Sequence, residues 1–109
     1  MDKLELYRNA IIQVLTEYYN EYPKKETIDK YVVVDDSTKN YFFTRVGWEN
    51  NSRIHGSPIH FRIKDEKIWI EFNGTEEDLT ESLVDKGIPK EDIVLGLLHP
   101  SKRQWAMKG

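Results

Sequence analysis

Basic and aromatic side chains alternate through the middle of the chain, and these residue types could bind a large partner. The cations and rings in this stretch are Arg45, Trp48, Arg53, His55, His60, Arg62 and Trp69. Cationic groups set between flat rings can hold phosphates and stack on nucleic-acid bases. The same residue types can anchor a protein interface, where tryptophan and arginine supply much of the binding energy. The pattern therefore predicts a binding surface for a protein or a nucleic acid, and its plainest alternative is a solvated sheet face.

A catalytic alternative depends on Asp65 and Lys67. An acidic residue two positions before a lysine fits half of a magnesium-dependent nuclease site, where the carboxylate holds the metal and the lysine stabilises negative charge. A further carboxylate would have to complete such a site. Residues 64–66 also have the polar composition of a hairpin turn, which explains the same residues without a reaction. We therefore do not expect an enzyme.

The three histidines, His55, His60 and His99, give little support for a metal site. The chain has no cysteine, and metal sites usually need three or four converging ligands. Residues five apart on a strand lie on opposite faces, so His55 and His60 should be separated unless residues 56–58 form a bulge. The sequence therefore predicts no metal and no cofactor.

Composition limits the class of protein further. The chain has 109 residues, enough for one domain spanning residues 1–109, and 39% hydrophobic with 12% aromatic residues can build a small core. Its 16 basic and 19 acidic residues give a net charge of −3, which argues against binding nucleic acid or anionic lipid by bulk attraction. The longest apolar run, residues 93–98, is far too short to span a membrane. The N-terminal residues alternate in charge, unlike a signal peptide, so we expect a cytoplasmic protein.

The spacing of apolar residues predicts a helix followed by four strands. From Leu4 to Tyr22 apolar residues recur every three or four positions, which is typical of an amphipathic helix, and Pro23 ends it. The four segments rich in β-branched and aromatic residues are residues 31–34, 41–48, 54–63 and 67–72. Short polar connections make consecutive strands antiparallel neighbours, so they should form a meander.

The third and fourth predicted strands each have an apolar and a polar face, because side chains alternate along a strand. The residues expected to face the core are Ile59, Phe61, Ile63, Ile68, Ile70 and Phe72. Those expected to face outward are His60, Arg62, Trp69 and Glu71. The outward set is where a partner would bind.

A second helix and a last strand are predicted in the C-terminal third. Thr75, followed by acidic residues, is predicted to cap a helix that ends at Gly87. Its buried stripe should consist of Leu79, Leu83 and Val84. Residues 93–98 are apolar enough for an internal strand. The predicted fold class is therefore α+β, a mainly antiparallel sheet with an N-terminal helix and a second helix packed on one face.

Short motifs along most of the chain match those of one known family. They are Val46-Gly47-Trp48, Arg53, Gly56, His60, Ile63-Lys64-Asp65, Lys67-Ile68-Trp69-Ile70, Asn73-Gly74-Thr75-Glu76, Gly87-Ile88-Pro89, Asp92-Ile93-Val94-Leu95, Pro100 and Arg103. Together with the opening residues 1–5, they make the chain resemble the XisI-like family, the controlling factors for excision of the fdxN element. One departure is Asn40, which stands where members usually carry a histidine.

The resemblance implies a small α+β protein of photosynthetic, nitrogen-fixing bacteria that is needed for programmed removal of a DNA element. It implies an accessory role, because a separate recombinase cuts the strands and a companion protein, XisH, resembles a nuclease. We therefore expect a non-enzymatic regulator that binds a XisH-like nuclease-fold protein. The residues expected to bind it are Trp48, Arg53, His60, Trp69 and, as an addition, Arg103. A DNA-binding accessory factor is the second hypothesis, and a magnesium-dependent nuclease is the third.

Self-association is also expected. A sheet with open edges and an exposed aromatic face is often covered by a symmetric partner. The sequence therefore predicts a homo-oligomer, without specifying the number of subunits, and no association with a membrane.

Overall fold

Residues 2–103 form one sheet with two α-helices against it and a short 3₁₀ helix (Lys90–Asp92) before the last strand. The computed structural model describes residues 2–103. The helices are α1 (Lys3–Glu21) and α2 (Leu79–Asp85), and the strands are β1 (Ile28–Asp35), β2 (Asn40–Glu49), β3 (Ser52–Lys64), β4 (Lys67–Asn73) and β5 (Ile93–Val94). The predicted α+β class is confirmed.

The sheet has the strand order β1-β2-β3-β4-β5, and β1 to β4 pair antiparallel in sequence. The predicted meander is therefore confirmed. Tight turns join its strands, and they place Asn50, Asp65 and Glu66 at φ angles of 56°, 54° and 62°. Asparagine and aspartate tolerate this left-handed conformation better than most residues. The polar residues at these positions thus serve the turns.

The helix α1 forms where its apolar spacing predicts. Asp2 caps it by accepting a hydrogen bond from the backbone nitrogen of Glu5 at 2.8 Å. The buried stripe is Tyr7, Ala10, Ile11, Val14 and Leu15. Leu4, expected to begin this stripe, is instead 43% exposed. It lies over a surface cavity of about 250 Å³ beside the β3–β4 turn, where the sheet beneath the helix ends.

The helix α2 begins later than predicted. Asp78 is its cap and accepts a hydrogen bond from Glu81 N at 3.0 Å. Thr75, expected in that role, is held in a preceding turn because its backbone nitrogen and hydroxyl both donate to Asn73 Oδ1. Its own Oγ1 accepts from Glu77 N. An aspartate directly before the first helical residue is an equally good cap and takes the position.

The end of α2 follows the sequence prediction at Gly87. This glycine has a φ of +94°, and its backbone nitrogen donates to Val84 O while that of Ile88 donates to Leu83 O. The two bonds form a Schellman motif, and Leu83 and Ile88 are both buried beneath it. Val84, expected to be buried, is 39% exposed because the seven-residue helix buries only a narrow stripe.

The last predicted strand is shorter than expected and lies at an edge. β5 contains only Ile93 and Val94 and pairs parallel with β4, whereas residues 93–98 were expected to form an internal strand. The chain turns after β5, since Gly96 N donates to Val94 O and Leu98 N donates to Leu95 O. An apolar run alone does not distinguish a strand from such a turn.

The core lies between the helices and one face of the sheet, which is called the inner face. Its largest fully buried residues are Ile11, Leu15, Tyr41, Phe43, Ile59, Phe61, Ile68, Ile70, Leu83, Ile88 and Ile93. The inward orientation predicted for the aliphatic residues and Phe61 of the third and fourth strands is therefore confirmed. Among residues 2–103, neither helix combines the length and apolarity needed to cross a bilayer.

Phe72 is the exception to the predicted inward residues, because it is 52% exposed. Phe61 pairs with Ile70, but His60 pairs with Phe72, so β4 carries Glu71 as an extra residue. This bulge inverts the alternation of side chains. Phe72 consequently lies on the same face as His60.

A polar contact ties α1 to the segment before β5. The Tyr7 hydroxyl donates a hydrogen bond to Asp92 Oδ2, and Lys3 Nζ lies 3.3 Å from the same oxygen. Burial, together with the bond to Asp92, raises the pKa of Tyr7 to about 12, and the bond from Tyr7 lowers the pKa of Asp92. We expect Tyr7→Phe to lower the free energy of unfolding at neutral pH by about 2 kcal/mol, measured by urea denaturation.

The same contact predicts how stability depends on pH. Because the folded pKa of Asp92 lies below its unfolded value, its stabilisation is complete above roughly pH 4 and is lost as the pH falls through the folded pKa. Because the folded pKa of Tyr7 is raised, its stabilisation is complete below roughly pH 10 and is lost as the pH rises toward about 12. Tyr7→Phe should weaken both slopes, and Asp92→Asn should remove its acid slope. Identical pH profiles for Tyr7→Phe and the unmodified chain would contradict the contact.

Candidate functional site

The sheet face opposite the helices, called the outer face, carries residues predicted to bind a partner. Residues directly opposite each other on neighbouring strands share a face, so the register assigns its members. They include Tyr31, Val33, Phe42, Trp48, Arg53, His55, His60, Arg62, Trp69 and Phe72. Arg45 instead lies on the inner face, where its Nη1 donates to the Tyr22 hydroxyl at 2.7 Å. Tyr31 is 44% exposed, and Trp48 and Phe72 are each 52% exposed. The outer face is therefore aromatic and open to solvent.

A bulge in β3 decides where two of the histidines lie. Between Phe43 and Arg45, two steps along β2 oppose three steps along β3. The extra residue inverts the alternation and brings His55 to the same face as His60, which is the outcome expected only if residues 56–58 bulge. Within residues 2–103, no three histidine, cysteine or carboxylate side chains converge on a position for a metal.

Trp48 and Arg53 face each other beside the β2–β3 turn. The guanidinium carbon of Arg53 lies 5.3 Å from the centroid of the Trp48 ring, and Nη1 donates to Gly47 O at 3.2 Å. Both side chains are exposed. Because each restricts the other, the pair presents a flat cationic surface whose ordering costs little further entropy on binding.

His60 lies in the centre of the outer face. Its ring stacks on Phe42 with the centroids 4.2 Å apart and 20° between the planes, and its Nε2 lies 2.7 Å from Asn40 Oδ1. Burial lowers the pKa of His60, and Arg62 lowers it further, while Glu71 acts in the opposite direction. The neutral ring is therefore favoured, with a protonated Nε2 donating to Asn40.

Trp69 lies on β4, next to the edge strand β5, and cations surround its ring. The centroid of its ring is 5.0 Å from Lys64 Nζ, 5.2 Å from the guanidinium carbon of Arg103 and 5.7 Å from that of Arg62. The indole Nε1 donates to Lys64 O at 3.1 Å. The ring is thus fixed in place and only partly exposed.

The two arginines beside Trp69 are engaged within the chain. Arg103 Nε donates to the carbonyl oxygens of Leu95 and Leu98, each at 3.0 Å. Arg62 Nη2 lies 2.5 Å from Glu71 Oε2, while its Nε is buried without a hydrogen-bond partner. The Arg103 hydrogen bonds hold its own segment together, and its guanidinium lies against the Trp69 ring of β4, so Arg103 acts first as a structural contact.

The five predicted site residues share one side of the sheet but do not form one cluster. Trp48 and Arg53 lie near the start of β3, and His60 lies further along it. Trp69 and Arg103 lie beside the end of β3. Nine residues of extended strand span roughly 30 Å, which is the scale of an interface between proteins rather than of a pocket for a small molecule.

Phe42 and Phe72 join these two ends and were not predicted as site residues. His60 pairs with Phe42 on one side and with Phe72 on the other. The outward position of Phe42 follows from alternation next to the buried Phe43. The outward position of Phe72 does not follow from alternation, because it depends on the bulge at Glu71.

Asp65 and Lys67, the candidates for a nuclease site, lie at a hairpin. Asp65 and Glu66 form the turn between β3 and β4, and Lys67 begins β4 opposite Lys64. In the part of the chain that the structure describes, no group of three metal ligands includes these carboxylates. The turn accounts for the polar residues at these positions.

The comparisons with known proteins agree with the fold. The family model described as XisI protein matches residues 1–107. The crystal structure of a XisI-like protein from Anabaena variabilis ATCC 29413 is 38% identical, with a TM-score of 0.88 and 94% of each chain covered. That of the fdxN element excision controlling factor XisI from Anabaena variabilis ATCC 29413 is 31% identical, with a TM-score of 0.84, covering 97% of this chain and 96% of the other. No curated protein sequence matches the chain significantly.

Proposed function

The chain belongs to the XisI family, and from that premise we propose that it is an accessory controlling factor for the excision of a DNA element. In this proposal it acts through protein contacts and not by catalysis, and its partner is a XisH-like nuclease-fold protein. The strand cutting belongs to a separate recombinase. The solved relative described as an fdxN element excision controlling factor supports the biological role.

The observation that carries the proposal is the uncovered aromatic outer face. The rings of Trp48 and Phe72 are each about half exposed, and Phe72 lies opposite His60, which stacks on Phe42. Large exposed rings on one face of a sheet are typical of a surface that a partner covers. Fixed tryptophan and arginine side chains are also the residues that contribute most to protein interfaces.

The charges on the outer face favour a protein over DNA as the partner. Arg62 is paired with Glu71, and Arg103 donates to backbone carbonyl oxygens. Affinity for DNA depends on cations that are free to neutralise phosphates. The net charge of −3 and the engagement of these two outer-face arginines therefore favour a protein partner.

We expect Trp48→Ala and Arg53→Ala each to weaken binding to a purified XisH-like protein. A tryptophan or arginine anchor contributes about 2 kcal/mol or more, so affinity should fall roughly 30-fold in isothermal titration calorimetry. Leu6→Ala is the matched control, because Leu6 is 42% exposed on α1, away from the outer face. Unchanged affinity in both outer-face variants would contradict the proposal.

The salt dependence of binding distinguishes the second hypothesis, direct DNA binding, from a protein interface. If the outer face binds phosphates, affinity for element-end DNA must fall steeply as salt rises, whereas a hydrophobic protein interface changes little. Magnesium-dependent cleavage of DNA that disappears in Lys67→Ala would instead support the nuclease hypothesis. We expect neither result.

A further inference from the structure

β1 leaves one long edge of the sheet open. The strand order places β1 at one edge and β5 at the other. The β5 edge has only two paired residues, and beyond it Leu97 N donates to Ile70 O. By contrast, β1 extends for eight residues. Among residues 2–103, this is therefore the long edge at which another strand can add.

The register shows which backbone groups of β1 point away from the sheet. Trp48 N donates to Thr27 O at 3.0 Å, so every second residue from Thr27 onward bonds to β2. The backbone N–H and C=O groups of Lys30, Val32 and Val34 therefore point toward the open edge. They form a template for an antiparallel strand.

β1 lacks two of the features that usually protect an edge strand, a proline and a bulge. Its pairing with β2 runs unbroken through eight successive pairs. Its lysine, Lys30, points to the inner face, where Nζ donates to the carbonyl oxygens of Tyr19 and Tyr22 at 2.7 and 3.0 Å. The apolar side chains of Val33 and Val34 are each 39% exposed.

We propose that a second copy of this chain binds the β1 edge, with the two β1 strands antiparallel and Tyr31 opposite Tyr31 at a twofold axis. Such pairing uses the same strand from both copies, so it closes after two subunits. It joins two five-stranded sheets into one and brings the outer faces side by side. A XisH-like partner would then contact a surface built by both copies.

Charge selects the register among the symmetric alternatives. Centring on Val32 places Asp29 directly opposite Asp35 twice, which is unfavourable. Centring on Val33 would extend the pairing to Asp36. The carboxylate of Asp36 already accepts a hydrogen bond from Arg8 Nε at 2.7 Å.

The register centred on Tyr31 places no like charges opposite each other, whereas centring on Lys30 would set that lysine against itself. The Tyr31 register sets Lys30 against Val32 and Ile28 against Val34, so it overlaps residues 28–34 of both strands, and Ile28 N exchanges its 3.3 Å bond to Lys25 O for one to the second copy. The two Tyr31 rings meet in a pair without hydrogen bonds, where side chains approach most closely.

Val32→Pro tests the proposal without disturbing the sheet of the monomer. The N–H of Val32 points outward, so proline there keeps the ladder to β2 but removes two hydrogen bonds from each dimer. We expect the full chain to sediment as a dimer and the dissociation constant to rise at least roughly tenfold in Val32→Pro. Val32→Ala is the matched control, since it shortens the side chain, keeps the N–H and should remain a dimer.

Single cysteines test the register and do not depend on the proline variant folding. The chain has no cysteine of its own, so any disulfide in such a variant joins two copies. Tyr31→Cys should form a disulfide-linked dimer on mild oxidation, because facing residues of such a pair lie within disulfide reach. Val32→Cys should not form such a disulfide-linked dimer.

Three results would overturn the proposal. These are a chain that stays monomeric at high micromolar concentration, a folded Val32→Pro variant that dimerises as tightly as the unmodified chain, and a Tyr31→Cys variant that does not cross-link. The experiments use this chain alone, so loss of partner binding with an intact dimer would contradict only the proposed function.

Discussion

Replacing Gly47 by alanine should destabilise the protein by about 3 kcal/mol or more, because both the contact distances and the backbone conformation exclude a side chain there. A β-carbon at Gly47 would lie 2.0 Å from Thr27 O and 2.8 Å from Ile28 Cα, and its φ is +156°. Both contacting atoms belong to backbone that is held by the pairing of β1 with β2. Relief therefore requires the start of β1 to move away from β2.

Gly56→Ala is the matched control for this effect. Gly56 has a φ of +140°, but a β-carbon there would meet no atom within 4 Å. Only the backbone strain remains, so we expect a cost of about 1 kcal/mol. Urea denaturation of both variants measures the difference. Equal costs at the two glycines would show that the close approach of β1 to Gly47 is not maintained in solution.

Much of the fold could be predicted because it depends on local patterns. Apolar spacing located α1, and alternation located β3 and β4 with their inner and outer faces. The errors arise where a specific contact overrides the local pattern. Phe72 faces outward because Glu71 forms a bulge against β3, and Thr75 loses the capping role because Asn73 holds it in a turn. Neither contact leaves a periodic signal in the sequence.

In the candidate site, too, the periodic pattern predicts some positions and a specific contact decides others. The pairing of Trp48 with Arg53 follows from a short hairpin, and the outward position of Trp69 follows from alternation. The role of Arg103 cannot be predicted in this way, because its hydrogen bonds go to the carbonyl oxygens of a turn that was predicted to be a strand. The family motif marks Arg103 without distinguishing a structural contact from a binding contact.

The two faces of the sheet predict opposite effects at neighbouring residues. Phe43 is fully buried, and its ring lies 4.9 Å from that of Tyr18 and 5.3 Å from that of Tyr22. We expect Phe43→Ala to lower the free energy of unfolding by about 4 kcal/mol, because it leaves a cavity in the core. Phe42→Ala should cost about 1 kcal/mol or less, since Phe42 is only partly buried and its principal ring contact is the stack on His60.

Binding to a XisH-like protein should follow the reverse order. Phe42→Ala removes a ring from the centre of the outer face, so we expect affinity to fall roughly tenfold while the variant stays folded. Phe43→Ala, measured at a temperature where it remains folded, should bind with nearly unchanged affinity because its side chain lies beneath the opposite face. If instead Phe42→Ala destabilised the chain as strongly as Phe43→Ala, the outer face would be covered within the protein itself. It could not then serve a partner.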